Sequence, residues 1–302
     1  MILEYKATPN DEGEKILTIL RKRMHCSGTQ VRRLKSNDMI FLNGVRTFTN
    51  IRVNNGDMIK IKILEHRIND NVPAQDIPIE ILFEDEFITA VNKPSGMAVH
   101  PAGIYTMNTL SNALRHYYMQ KGIDMTSRPI GRLDRNTSGI VVFAKNSHVM
   151  ARMSEVFHKA DTMKIYHGIA HGHPPQNDGI IDLPIKRAAD SIISRITTID
   201  GKPSQTEYRV LEKFKEASLI EYRLLSGRTH QIRLHSSEIG CPLIGDGVYG
   251  DDTATGHIIG RHALHCRFMS FENPFTGNRI ELDAPYPDDF QDAIVYLRKQ
   301  NQ

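Results

Sequence analysis

The sequence predicts an α+β protein in two parts, a small unit of helices and a strand hairpin followed by a larger, mixed and largely antiparallel β-sheet with flanking helices. Three observations predict it. From about residue 79 onward, strand-like and helix-like segments alternate without the regular βαβ cadence of a doubly wound parallel sheet. Residues 65–78 are polar, hold Asn69-Asp70-Asn71, Pro73 and Pro78, and read as a linker between domains at 1–64 and 79–302. The charge divides at nearly the same place. The first 70 residues hold 13 basic and 8 acidic side chains, a balance of +5, and the remainder holds 25 and 27, a balance of −2.

In the first part, Ile16, Leu17, Ile19, Leu20 and Met24 recur at helical spacing behind Asp11-Glu12-Gly13-Glu14, acids that suit a helix N-terminus. A second helix is expected over 29–36, with Val31 and Leu34 inward and its basic residues outward. Ile40-Phe41-Leu42 precedes an Asn43-Gly44 turn, and the alternation over 58–63 marks a half-buried strand. Arg21, Lys22, Arg23, Arg32, Arg33 and Lys35 fall in fifteen residues that contain no acid. Such a cluster is the footprint expected for contact with a polyanion, since each neutralised phosphate releases counterions.

In the second part, strands are expected at 79–83 and 87–91 around a Glu84-Asp85-Glu86 turn, and helices at 108–121 and 147–160. The run Gly139-Ile140-Val141-Val142-Phe143-Ala144 is a buried strand, too short to cross a bilayer. Several strands follow between 164 and 225, then a helix at 230–239 and a last hairpin closed by 281–283. Met1 to Glu14 has no apolar core of a signal peptide, and three cysteines without a CxxC pair make no disulfide framework. A cytoplasmic protein with reduced thiols and no membrane partner is expected.

Three stretches could carry chemistry. In Arg132-Leu133-Asp134-Arg135, positive charge on both sides favours an ionised carboxylate just ahead of the buried strand. Gly227-Arg228-Thr229-His230-Gln231-Ile232-Arg233-Leu234-His235 crowds two arginines, two histidines and a glutamine into one segment, a mix surface helices rarely need. Lys164-Ile165-Tyr166 places a tyrosine on a strand, where a plain core residue is the more frequent outcome. His167, His171 and His173, and separately His262, His265 and Cys266, lack the accompanying carboxylate or cysteine framework of a metal site, so no metal is expected.

The first part, in the order helix, basic second helix, Ile-Phe-Leu-Asn-Gly-Val and Val-Asn-Asn-Gly-Asp-Met-Ile, resembles the S4 RNA-binding domain. The second resembles the RluA-type family of RNA pseudouridine synthases. It carries Asn92-Lys93-Pro94-Ser95-Gly96 and Val99-His100-Pro101, then Arg132 to Gly139, Lys164 to Tyr166, Gly227 to His235, and Pro242-Leu243-Ile244-Gly245-Asp246 with Tyr249-Gly250. One position departs from the family pattern: Gly131 stands where a histidine usually precedes Arg-Leu-Asp.

The resemblance implies isomerisation of uridine to pseudouridine in structured RNA, with no cofactor, since no atom beyond protons enters or leaves. It implies Asp134 as the nucleophile, Arg233 as its ion-pair partner with Arg228 as the fallback, and Tyr166 as the face under a flipped uracil. Arg132 would fill the space the base vacates, and Ile232 or Leu234 would close the apolar side of the pocket. Arg228, Arg132 and the basic cluster would contact RNA. Large-subunit (23S) ribosomal RNA is the expected target, with transfer RNA and a non-catalytic ribosome-assembly role as alternatives, and the protein is expected to act as a monomer. A nucleoside glycosidase would need a second acid to activate water, and the matching motifs supply none.

Overall fold

A computed structural model describes residues 1–63, 72–103, 105–123, 125–191, 193–250 and 258–300. The chain divides into two compact units between Ile68 and Asn69, with Asn146–His148 grouped with the first. Of the expected linker, residues 65–71 lie outside the described residues. Residues 72–78 differ from a free linker: Val72 is buried, and the Pro73 carbonyl accepts a 2.8 Å hydrogen bond from Asn112 Nδ2. The prolines stiffen this stretch, and it lies along the second unit.

The first unit contains β1 (Ile2–Lys6), α1 (Ile16–Lys22), α2 (Gly28–Ser36), β2 (Ile40–Leu42), β3 (Val45–Arg46) and β4 (Met58–Lys62). Its four strands run in the order β1-β4-β2-β3. Ile16, Ile19, Leu20, Val31, Leu34, Ile40, Ile59 and Ile61 form one core, the inward faces that the periodicity marks. Ser27 caps α2 by accepting a hydrogen bond from the Gln30 amide. The sequence reading contains no strand at β1, which pairs antiparallel with β4 from Ile2↔Lys62 to Lys6↔Met58. None of its residues is fully buried, so it carries little hydrophobic signal.

The second unit contains β5 (Glu80–Glu84), β6 (Ile88–Lys93), α3 (Leu110–Gln120), β7 (Arg128–Pro129), β8 (Ser138–Ala144) and α4 (Ser147–Val156). It continues with β9 (Met163–His171), β10 (Asp178–Asp182), β11 (Ile185–Arg187), β12 (Arg195–Thr197), β13 (Gln205–Lys213) and β14 (Ala217–Leu224). Last come α5 (Gln231–Glu238), β15 (Leu264–Glu272), β16 (Arg279–Asp283) and α6 (Asp288–Lys299). The main sheet runs β10-β13-β14-β9-β15-β8-β6-β5, with β16 beside β15 and β7 beside β8. Among the described residues only β15 and β8 pair in parallel within it, so the sheet is mixed and largely antiparallel.

Helices cover the sheet. Leu110, Leu114 and Tyr118 of α3 pack on Val91, Val141 and Phe143. Phe290, Ala293, Ile294 and Leu297 of α6 pack on Ile169, Leu219 and Ala263. The sequence reading stops at the last hairpin and contains no α6. No helix among the described residues is long and apolar enough to cross a membrane.

Candidate active site

Asp134 lies in the loop between β7 and β8, and four contacts fix that loop. The Thr137 amide donates to the Asp134 carbonyl at 3.1 Å, closing a tight turn. Lys93, fully buried, donates from Nζ to the carbonyls of Pro94, Met97 and Arg135 at 2.8–2.9 Å. Burial pushes its ammonium down to about 7, and the three carbonyl oxygens replace part of its lost hydration. Arg261 Nη1 donates to the Asn136 carbonyl at 3.0 Å while its Nε donates to Asp289 of α6 at 2.7 Å. Thr137 Oγ1 lies 2.8 Å from His262 Nε2.

Strand register places Tyr166 close by. Gly139 pairs with Cys266, and Cys266 with Tyr166, so the three lie in one row across β8, β15 and β9. Gly139 has φ +106°, and a Cβ there would run into the Cys266 backbone, so this close approach requires glycine. Tyr166 is buried, and burial pushes its hydroxyl well above the ordinary phenol value, with Cys266 and Asp134 adding to the effect. The phenol is therefore protonated at neutral pH.

Arg233 enters from α5. Gln231 and His235, at the same face of the motif, tie this helix to β13 through Thr206 Oγ1 at 3.0 and 2.9 Å. Arg233 is 6% exposed and forms a bidentate pair with Asp246, Nε to Oδ2 and Nη2 to Oδ1, each 2.7 Å. Its remaining nitrogen, Nη1, donates to Asp134 Oδ2 at 3.2 Å. Burial opposes the charges, but the Arg233–Asp246 bonds overcome it, holding the arginine above and the aspartate below their ordinary values.

The structure thus brings Asp134, Arg233 and Tyr166 together and separates the fallback. Arg228 is exposed, donates from Nε to the Pro203 carbonyl at 3.3 Å and makes no bond to Asp134. Arg132 is exposed beside the nucleophile candidate, and Ile232 and Leu234 are buried. A Cβ at Gly131, where the family pattern has histidine, would meet open space among the described residues. In the first unit, Arg21, Lys22, Arg32, Arg33 and Lys35 are exposed on α1 and α2. Arg23 differs, because its Nε donates at 2.8 Å to Asp11, a buried carboxylate that also accepts from Tyr5 and Thr8. Part of its guanidinium is committed to the fold.

Sequence reasoning assigned no role to Asp246, Lys93 or His230. All three stand inside the matching motif stretches, which is the only sequence signal for them. Four of the histidines weighed as metal ligands, His167, His173, His262 and His265, instead lie within hydrogen-bond reach of neighbouring hydroxyls. His173 Nδ1 lies 2.9 Å from Ser218 Oγ, and His265 Nδ1 lies 2.9 Å from Ser138 Oγ. Among the described residues, no group of three or more His, Cys, Asp and Glu is gathered for a metal ion.

The buried histidines make stability fall in acid. Burial pushes His265 down to about 4 and His262 down to about 3, from an unfolded value near 6.5. In that window the unfolded chain binds protons that the folded chain refuses, so stability is full above pH 6.5 and is lost as pH falls toward 4. At about 1.4 kcal/mol per unit, His265 alone contributes about 3 kcal/mol. The depressed carboxylates, such as Glu84 at about 2, lose their contribution only below the ordinary carboxylate value near 4.5. Thermal unfolding midpoints measured from pH 7 to 4.5 are therefore expected to fall, and a flat profile would show the imidazoles accepting protons in the folded state.

The description RNA pseudouridylate synthase belongs to a family model that matches residues 88–238, the span holding Asp134, Tyr166 and Arg233. An uncharacterized RNA pseudouridine synthase of Bacillus subtilis, YlyB, is 36% identical over 277 residues, 90% of this chain and 90% of that protein. Ribosomal large subunit pseudouridine synthase D of Zymomonas mobilis is 40% identical over 240 residues, 76% of this chain and 75% of that one. The solved structure of human RNA Pseudouridylate Synthase Domain Containing 1 matches with a TM-score of 0.59 at 25% identity, covering 71% of this chain and 86% of its own. With the motif stretches gathered around one pinned loop and relatives matched over nine-tenths of the chain, the protein belongs to the RluA-type RNA pseudouridine synthase family and is an RNA-modifying isomerase.

Proposed function

We propose that this enzyme converts a specific uridine of large-subunit ribosomal RNA to pseudouridine, with Asp134 as the nucleophile. The observation that carries the chemistry is the 3.2 Å contact from Arg233 to Asp134 at the end of a fixed loop. The reaction breaks the N1–C1′ bond, turns the base and forms C5–C1′ with loss of the C5 proton. Whether the carboxylate acts at C1′, at C6 or on a sugar proton, it must be held in place for attack, and the Arg233 contact orients it.

The base must first leave the RNA stack, at a cost of a few kcal/mol, about what one stacking face returns at roughly 1–3 kcal/mol. Tyr166 provides that face, and its protonated hydroxyl acts as a hydrogen-bond donor. The exposed guanidinium of Arg132 takes the vacated place by stacking on the neighbouring bases. The first unit, as an S4-like domain, docks structured RNA through Arg21, Lys22, Arg32, Arg33 and Lys35.

Ribosomal RNA is favoured because relatives in three organisms carry the name ribosomal large subunit pseudouridine synthase D. Pseudouridine mapping of total RNA from cells with and without the protein tests the target. One site is expected to disappear from large-subunit ribosomal RNA. A loss confined to transfer RNA would move the assignment there, and no loss anywhere would leave a binding role.

A further inference from the structure

His230 is a half-buried titratable group that the reaction as described leaves unused, and its backbone is strained. It stands at φ +60°, ψ 17°, the left-handed region that histidine rarely adopts, immediately before α5. Its side chain does not cap that helix. The conformation instead turns the ring between two partners. Nδ1 lies 3.0 Å from the Tyr249 hydroxyl, and Nε2 lies 3.7 Å from Asp134 Oδ2, with the ring 11% exposed.

The hydrogen-bond order follows from Tyr249. Its oxygen accepts a 2.8 Å bond from the Arg195 amide, and burial keeps the phenol protonated. For its single hydrogen, His230 Nδ1 is the one acceptor among the described residues. Nδ1 must then carry a lone pair, and Nε2 carries the hydrogen, aimed at Asp134. Burial favours this neutral ring; Asp134 and Asp246 pull toward the imidazolium, while Arg233 and Arg195 push against it.

Both contacts to the nucleophile therefore converge on one oxygen. Arg233 Nη1 donates to Oδ2, and His230 Nε2–H points at the same Oδ2, while Oδ1 has no hydrogen-bond partner among the described residues. We infer that His230, set by Tyr249, is a positioning residue that holds Asp134 Oδ2 and leaves Oδ1 as the reacting oxygen. The 3.7 Å separation closes to a hydrogen bond when substrate enters, since such contacts often tighten only in the Michaelis complex. This rests on the reading of Asp134 as nucleophile.

The test uses the full chain and C5-tritiated total RNA from cells lacking the protein, reading tritium release, apparent KM and the thermal midpoint. Asparagine tolerates the left-handed backbone and can accept from Tyr249, but is too short to reach Asp134. Glutamine places its Nε2 where the imidazole Nε2 stands. His230→Asn is expected to lower kcat about tenfold or more with KM within about twofold and no loss of thermal stability, and His230→Gln to recover most of that rate. Tyr249→Phe is expected to slow the wild type about threefold and to add nothing in the His230→Asn background. Wild-type kcat in His230→Asn, equal losses in both His230 variants, or additive losses with Tyr249→Phe would each overturn the inference. Asp134→Asn is run alongside. Turnover there at the wild-type rate would sink the nucleophile reading itself, whereas loss of turnover there together with wild-type kcat in His230→Asn sinks only the role of His230.

Discussion

Asp134→Asn is expected to abolish pseudouridine formation, by at least about 10³-fold in kcat, with RNA binding and folding nearly unchanged. Asparagine keeps the volume and loses the charge and the nucleophilic oxygen. The fold tolerates this because Arg233 is not left alone: its two 2.7 Å bonds to Asp246 persist, and only the single 3.2 Å contact is weakened. The Asp134 side chain is 27% exposed, so a change in stability within about 1 kcal/mol is expected. Tritium release from C5-labelled RNA, RNA affinity and the thermal midpoint check the three parts. Turnover at the wild-type rate would remove Asp134 from the chemistry, and loss of binding as severe as loss of turnover would make it an RNA contact instead.

The difference between what the chain's residues announce and what they conceal has a physical basis. The inward faces of α1 and α2 are legible because Ile16, Ile19, Leu20, Val31 and Leu34 obey a helical period that burial enforces. The Asp134–Arg233 pair is legible through motif resemblance alone, since 99 residues separate the partners and no local period connects them. Strand β1 escapes notice because it is amphipathic in the weakest sense, with alternate residues only half buried. Helix α6 escapes behind the last hairpin, although its Phe290, Ala293, Ile294 and Leu297 do follow helical spacing.

That omission hides a functional connection. Asp289, in the first turn of α6, accepts from Arg261 Nε and Nη2, and Arg261 Nη1 in turn holds the Asn136 carbonyl of the loop bearing Asp134. Arg23 was unreadable for the opposite reason. It sits inside a uniformly basic run, and only the fold reveals that the buried carboxylate of Asp11 is beside it. Charge clusters identify a kind of surface, but which members of the cluster are free depends on partners that are distant in sequence.

Asp246→Ala is expected to cost the most stability among single changes at the site, about 3–5 kcal/mol, and to slow catalysis below the unfolding temperature as well. Asp246 is 1% exposed, and its loss strands two nitrogens of the buried Arg233. It also removes the acceptor of the Val248 amide, which donates to Oδ1 at 3.0 Å. The methyl group that remains accepts nothing, and the guanidinium has one carboxylate left, the nucleophile itself. Arg233 is then drawn onto Asp134 alone, holding more of its charge and covering the oxygen that must react. At about 2–4 °C per kcal/mol for a unit of this size, the midpoint should fall by about 6–20 °C. Asp246→Asn fills the same volume and keeps one acceptor oxygen, so it is expected to recover part of the stability but little of the rate. Calorimetry with single-turnover kinetics well below the midpoint separates the two effects. A midpoint and rate both within error of wild type in Asp246→Ala would mean that water or a rearranged neighbour neutralises Arg233, and that the buried pair does not set the nucleophile's position.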